Sequence, residues 1–344
     1  MSKLVWKWHL GLLFCLKNTF WLDISQMKTQ KGTGKLLSPA KILPIIGTGK
    51  IFKGVFGMPR IPRFFMDDPR AAYHIISRTA LPGHDVLGPE EKDYLLHLIQ
   101  WLSQVYFVEV YGFCIMGNHF HLLCRILPED QFSDEEVKRR IRLYYGRKRK
   151  IYFYEELIKK WRARLGNLSR YVQDIKQRFS RWYNRRVDRR GYFWADRFKS
   201  VIVETGEALL NCLAYIELNP VRAGIVGKPE DYRWCSLGYR SRRGTGKDFL
   251  SLNLELTSWE NKTEKERFEL LREFVYGKGG LGEPEKGTGK FFRHRVKYFT
   301  ESLAIGSRGF VDKTAAKLRK FLGIKRERKG KNIKGVAYKD IVFL

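Results

Sequence analysis

The sequence predicts an α+β protein built on an antiparallel sheet with helices packed on one face. Three observations lead there. The octapeptide Gly117-Asn118-His119-Phe120-His121-Leu122-Leu123-Cys124 is apolar, opens on a glycine and is followed by Pro128, so it reads as a strand. The segments before it read in the order strand, helix, strand, without the regular strand–helix alternation of a parallel sheet. Residues 168–186 then form a helix whose apolar stripe needs a sheet to lie on.

The elements follow in order. Ala71-Ala72-Tyr73-His74-Ile75-Ile76-Ser77-Arg78 is rich in apolar and β-branched residues and reads as the first strand. Residues 89–105 read as an amphipathic helix, with Pro89 near its start and Glu90 and Glu91 in its first turn. Residues 107–114 and 119–126 are the second and third strands, and 116–118 are the tight connection between them. Residues 133–145 and 151–165 are charged helical segments. In 168–186, Leu168, Tyr171, Val172, Ile175, Phe179 and Trp182 recur at helical spacing, while Arg170, Lys176, Arg178, Arg181 and Arg185 lie mostly off that stripe. Residues 198–204 form another strand, and 207–218 a helix stopped by Pro220.

Charge limits the function classes. The 344 residues hold 66 Lys+Arg against 36 Asp+Glu, a net charge of +30, more than an enzyme of small metabolites needs. A polyanionic partner accounts for it, and nucleic acid is the usual one. Aromatic residues, 14% of the chain, alternate with the basic ones in Arg178-Phe179-Ser180-Arg181-Trp182-Tyr183-Asn184-Arg185-Arg186 and in Arg197-Phe198-Lys199. Basic groups hold phosphates and aromatic faces stack on bases, a mixture suited to unpaired strands. The other reading, with aromatics in the core and charges on a solvated face, fits Phe179 and Trp182 on their stripe.

The organisation expected is an N-terminal extension (1–57), a catalytic domain (58–240), a linker or insertion (241–290) and a basic C-terminal DNA-binding region (291–344). In the extension, the uninterrupted apolar run 10–16 is too short to span a bilayer, and no membrane partner is expected. Gly-Thr-Gly-Lys begins at Gly32, Gly47, Gly244 and Gly287, but Leu36, Ile51, Asp248 and Phe291 stand where a P-loop needs Ser or Thr. These segments read as flexible insertions. Five cysteines without a Cys-x-x-Cys point to a reducing cytosol rather than to disulfides or a thiolate zinc site. The expected location is therefore cytoplasmic, on the nucleoid.

Alternation in a strand sends His119 and His121 to one face and Phe120, Leu122 and Cys124 to the other. Two imidazoles on one face of a rigid strand make half of a divalent metal site; two polar surface residues would show the same spacing. In Tyr215-Ile216-Glu217-Leu218-Asn219-Pro220-Val221-Arg222, Tyr215 and Asn219 are four apart and share a helix face. They suit a nucleotidyl-transfer site, or else a helix-to-sheet packing residue and a helix terminator.

Together, the octapeptide and the Tyr215–Val221 motif resemble the REP-associated tyrosine transposases, single-tyrosine HUH transposases named for two histidines flanking a hydrophobic residue. Met58-Pro59-Arg60, Tyr73-His74-Ile75-Ile76-Ser77-Arg78, Phe179-Ser180-Arg181-Trp182-Tyr183-Asn184-Arg185 and Gly306-Ser307-Arg308-Gly309-Phe310-Val311 add to the likeness. It covers roughly residues 58–240 well and the C-terminal region more loosely. Thr79-Ala80-Leu81 departs from it, the segment 129–164 is long, and residues 1–57 have no counterpart, which makes Met58 a candidate start. The resemblance implies a ferredoxin-like (HUH) palm, Mg²⁺ or Mn²⁺ held by His119 and His121 with Asn219 as third ligand, and Tyr215 as nucleophile.

The chemistry is consistent on its own terms. A cation stabilises charge growing on a scissile phosphate, and neutral imidazole ligands leave the ion its full charge. Attack by a tyrosine hydroxyl gives a phosphotyrosyl intermediate, a 5′-phosphotyrosine by the resemblance, that retains the energy of the broken bond, so rejoining needs no ATP. Tyr171 and Tyr183 are lesser rivals to Tyr215, one on the apolar stripe and one without a partner ligand. The expectation is a DNA strand transferase acting on single-stranded, hairpin-forming DNA. Arg178, Arg181, Arg185, Arg186, Arg197, Lys199 and Arg222 are its DNA-binding residues, and monomer and homodimer are both open. A replication initiator or relaxase, or a catalytically silent DNA-binding protein, are the alternatives.

Overall fold

A computed structural model describes residues 63–341 except 82, 147, 245–248, 282–294, 324–329 and 334–338. The chain divides into two units, Met1–Ile61 and Pro62–Leu344, and every described residue belongs to the second. The expected extension (1–57), most of the Gly-Thr-Gly-Lys segments and much of the basic tail lie outside the described residues.

In chain order the elements are β1 (Ala71–Arg78), α1 (Pro89–Val105), β2 (Val108–Ile115), β3 (His119–Ile126), α2 (Asp134–Tyr145), α3 (Glu155–Leu165), α4 (Leu168–Arg186), β4 (Lys199–Glu204), α5 (Glu207–Glu217), α6 (Asn219–Arg222), α7 (Ser236–Arg243), α8 (Glu264–Gly279), α9 (Tyr298–Glu301), β5 (Ala304–Gly306), α10 (Arg308–Leu322), β6 (Lys331–Asn332) and β7 (Lys339–Ile341). Local chemistry places the ends. Pro89 opens α1, the Asn167 side chain accepts from Arg170 N at the start of α4, and Thr263 and Glu266 close a reciprocal capping box on α8. Pro220 follows the end of α5 at Glu217, as expected. It sits in the first turn of α6, where its missing N–H costs nothing.

The sheet order is β2-β3-β1-β4-β5-β7-β6. Its first four strands each run antiparallel to their neighbours and, with α1 and α4, form the ferredoxin-like β-α-β-β-α-β unit. The C-terminal chain then extends the sheet: β5 pairs in parallel with β4, and β7 returns antiparallel to β5. The strands β5, β6 and β7 are thus bound into the sheet.

Helices cover both faces of the sheet, which corrects the expectation of one. Tyr73, Ile75, Phe120, Leu122 and Ile202 face a core made with α1 and α4. Ala72, Leu123, Val201 and Val203 face a second core made with α5, α8 and Phe299 of α9. The physical reason is visible in the strands, where both alternate sets of side chains are apolar and each set needs a cover. The expected linker is corrected for its described part: Leu250, Leu252 and Leu254 are buried, and Phe268, Leu271 and Val275 of α8 join the second core.

The helix bearing Tyr215 lies very close to the sheet. A Cβ built on Gly112 of β2 would stand 2.3 Å from Leu213 Cδ1 of α5 and 2.8 Å from Ser236 Oγ of α7. Gly112 sits where the β2–β3 register shifts, so its lack of a side chain is what lets α5 settle there. Among the described residues, no helix is long and apolar enough to cross a membrane.

Candidate active site

Register assembles the site. In β1 and β3, Arg78 pairs with His119, Ile76 with His121 and His74 with Leu123; Ile76 also pairs with Lys199 of β4. Cross-strand partners share a face, so His74, Ile76, Arg78, His119, His121 and Lys199 all point to the side that α5 covers. There a cavity of about 620 Å³ is lined by these residues other than His74, together with Tyr215, Asn219 and Arg222, Arg197 of the α4–β4 loop, and Arg295 and Thr300 near α9. His119, His121, Tyr215 and Asn219 are thus brought to one cavity. Of the seven basic residues expected to hold DNA, Arg197, Lys199 and Arg222 line it.

The other four do not. Arg178, Arg181, Arg185 and Arg186 belong to α4, which packs on the opposite face of the sheet. Arg178 lies over the Trp101 and Tyr144 rings, at 4.6 and 4.7 Å, and Arg186 pairs with Glu90 and Glu91. Arg181 and Arg185 are exposed. A helical stripe tells which side of a helix is polar, not which side of the sheet the helix occupies. The rival tyrosines are also on that side. Tyr171 is fully buried with its hydroxyl donating to Ile99 O, and the Tyr183 ring packs 4.5 Å from Phe193.

The two histidines are held at one nitrogen each. His119 Nδ1 lies 2.7 Å from Asn118 Oδ1, and His121 Nδ1 lies 2.8 Å from Nε2 of His74. Their rings sit 5.0 Å apart at 81°. Burial, and then the charges of Arg78, Arg222 and Arg295, bring the His119 pKa down to about 4. Burial also holds His121 well below the usual value, with His119, His74, Arg222 and Arg78 adding to the effect. Both rings are therefore neutral at pH 7, the form that ligates metal.

Tyr215 is almost fully buried against Phe299, ring centres 4.9 Å apart, and its ring centre is 6.4 Å from that of His121. Burial raises its pKa, and the nearby cations Arg222 and Arg295 oppose that rise. The Arg222 guanidinium lies 4.1 Å over the phenol ring and donates to Tyr215 O at 2.7 Å and to Asn219 Oδ1 at 2.8 Å. Asn219 Nδ2 donates to Ile216 O, so the amide is fixed with its oxygen toward Arg222. An amide oxygen has a second lone pair, which remains available to a cation.

These donors fit a divalent ion of the Mg²⁺ or Mn²⁺ kind only as a partial set. Two imidazole nitrogens and one amide oxygen leave room for phosphate oxygens or water, the usual partners of such ions. Among the described residues, no group of three or more His, Cys, Asp or Glu is arranged to hold a metal.

No protein-family model matches the chain, and no curated protein matches it in sequence. Among solved structures, that of a REP-associated tyrosine transposase bound to a REP hairpin is similar to it, with 14% identity and a TM-score of 0.38. The match covers 57% of this chain and 96% of that one.

Sequence reasoning missed five polar residues of this region as parts of the site: His74, Arg78, Asp196, Arg295 and Thr300. His74 and Arg78 have the same-face spacing of a strand, which could have been read, but their register against His119 and His121 could not. Arg295 and Thr300 carry no local signal at all, since they reach the cavity through the packing of α9 under the sheet.

Proposed function

We propose that this protein is a metal-dependent single-tyrosine DNA strand transferase of the HUH kind, which nicks and rejoins single-stranded DNA at hairpin-forming repeats. The observation that carries the reading is the convergence of His119, His121, Tyr215 and Asn219 on one cavity rimmed by Arg78, Arg197, Lys199 and Arg295. Nε2 of His119 and of His121, with Oδ1 of Asn219, would hold Mg²⁺ or Mn²⁺. That ion would polarise the scissile phosphate and stabilise the charge that grows on it.

The remaining work falls to the chain. The basic rim binds the phosphates on either side of the scissile bond, and exposed Arg197 and Lys199 are placed to guide the strand in. Tyr215 Oη attacks the phosphorus and its proton leaves to solvent, while the bond to the 3′ oxygen breaks and that oxygen takes up a proton from solvent, giving a free 3′-hydroxyl and a 5′-phosphotyrosine. A free 3′-hydroxyl attacking that ester rejoins the strand. Arg222, fixed over the phenol ring, favours the phenolate and keeps Asn219 oriented. The α4 arginines, on the other face, bind flanking DNA without touching the reacting phosphate.

The test is covalent capture. Labelled hairpin oligonucleotides with single-stranded flanks are incubated with the protein and Mg²⁺ or Mn²⁺ and run on a denaturing gel. A protein–DNA band that disappears with Tyr215→Phe, with His119→Ala and with chelator is the expected result. Tight binding of the same oligonucleotides with no band under any of these conditions would point instead to a DNA-binding protein without catalysis.

A further inference from the structure

We infer that His74 is a positioning residue of this site: with the Phe299 carbonyl behind it, it fixes His121 in the tautomer that leaves Nε2 unprotonated. The inference rests on the metal reading above and adds to it the chain of groups that prepares the ligand.

The argument is one of donors and acceptors. Phe299 O lies 2.8 Å from His74 Nδ1, and a carbonyl only accepts, so Nδ1 of His74 carries a proton. His74 is wholly buried with the positive charge of Arg222 acting on it, and His121 and His119 follow it in one line of imidazoles. Among the described residues neither nitrogen of His74 meets a carboxylate, since Nδ1 faces Phe299 O and Nε2 faces His121, so the ring is neutral and its Nε2 is a lone pair. The 2.8 Å bond from His74 Nε2 to His121 Nδ1 is then a donation from His121. A neutral His121 protonated on Nδ1 has its own lone pair on Nε2, the atom left for a cation in the cavity. His119 arrives at the same state by a shorter route, its Nδ1 facing the Asn118 side-chain oxygen at 2.7 Å. Outer partners of this sort set ring orientation and basicity in metal sites.

The relay also ties the C-terminal chain to the chemistry. Phe299 lies 225 residues from His74, on the short helix α9. Its carbonyl orients one candidate ligand through His74, and its ring packs on Tyr215. One residue of the C-terminal chain therefore fixes groups on both sides of the reaction.

The experiment uses the full-length protein labelled with ¹⁵N-histidine. Metal-free spectra report which nitrogen of each ring is protonated, and titration with Mn²⁺, followed by the signal of the free ion, reports affinity. His74→Leu removes both hydrogen bonds, and His74→Gln restores an acceptor for His121 Nδ1–H. The expected result is protonation of Nδ1 on both His74 and His121 in the wild type. His74→Leu then mixes the tautomers of His121 and weakens Mn²⁺ binding about 10–100-fold, while His74→Gln recovers the tautomer and most of the affinity. A wild-type His121 protonated on Nε2, or a folded His74→Leu with wild-type tautomer and affinity, overturns the inference. Should His74→Leu not fold, the wild-type spectrum and His74→Gln decide it. A wild type with the expected tautomers that binds no Mn²⁺ supports the relay and overturns the metal reading instead.

Discussion

Arg222 lies 4.1 Å over the ring of Tyr215 while its guanidinium hydrogen-bonds the Tyr215 carbonyl and the Asn219 side-chain oxygen. One planar cation thus faces the candidate nucleophile and holds a candidate ligand, seven and three residues away along the chain. Replacing it with glutamine removes the charge that opposes the effect of burial on the phenol and frees the amide of Asn219. The expected outcome is a fall in the rate of covalent adduct formation on the order of 10²-fold, the usual effect of removing one preorganised stabilising donor. Arg222→Lys should recover little, because a single ammonium does not reproduce the fork. Single-turnover rates on a hairpin oligonucleotide check this, and a wild-type rate in Arg222→Gln overturns it.

Arg181 and Arg185 test the division of labour between the two faces of the sheet. Both are exposed on α4, away from the cavity. The double variant Arg181→Ala/Arg185→Ala is expected to bind long hairpin DNA more weakly. The slope of log affinity against log salt should become shallower by about 1 for each phosphate that the arginines neutralise. Adduct formation at saturating DNA should be unchanged. A large drop in the rate of the chemical step would place α4 at the reacting phosphate and contradict this division.

Gly112 sets how closely α5 approaches the sheet. Its missing side chain leaves room for Leu213 Cδ1, which would otherwise stand 2.3 Å from a Cβ. Gly112→Ala should cost about 1–3 kcal/mol by overpacking, read as a lower urea midpoint with an unchanged slope. Adduct formation should fall with it, since Tyr215 is two residues from Leu213 on the same helix. An alanine variant as stable as the wild type would show that α5 is free to retreat.

Asp68 anchors α10 to the start of β1 and makes stability depend on pH. Burial raises its carboxyl, but hydrogen bonds from Lys313 and Arg70 and the charge of Arg70 outweigh it and bring the pKa down from 3.8 to about 2. A carboxyl depressed in the folded state contributes stability above its ordinary pKa and loses it as the pH falls toward the folded value. The wild type should therefore exceed Asp68→Asn in stability at pH 6, and the gap should shrink as the pH falls from about 4 toward 2. Urea unfolding of both proteins across that range checks it. A gap that stays constant with pH would mean that Asp68 acts through packing rather than charge.

Much of the fold was legible because it is written in local periodicity. The strand read over 71–78, the helix over 89–105, the strand over 119–126 and the helix over 168–186 coincide with β1, α1, β3 and α4. The short C-terminal strands were not legible. β5, β6 and β7 span two or three residues each, too few for a period to show, and they exist only because β4 offers an edge to pair with. At the site, alternation along β3 placed His119 and His121 on one face, and spacing placed Tyr215 near Asn219. The same reasoning gathered seven basic residues and had no means to separate the three at the cavity from the four across the sheet.

The sequence by itself determined the longer elements, the shared face of the two histidines, the excess of basic residues and the candidates for nucleophile and ligands. Those properties follow from side-chain type and a period of two or 3.6 residues. Only the tertiary structure decided that His74 touches His121, that Phe299 backs both His74 and Tyr215, and that helices cover both sides of the sheet. Each of these depends on strand register or on contacts between residues far apart in the chain. A shift of one residue in the β1–β3 pairing would turn His74 to the other face while leaving every local pattern in the sequence unchanged.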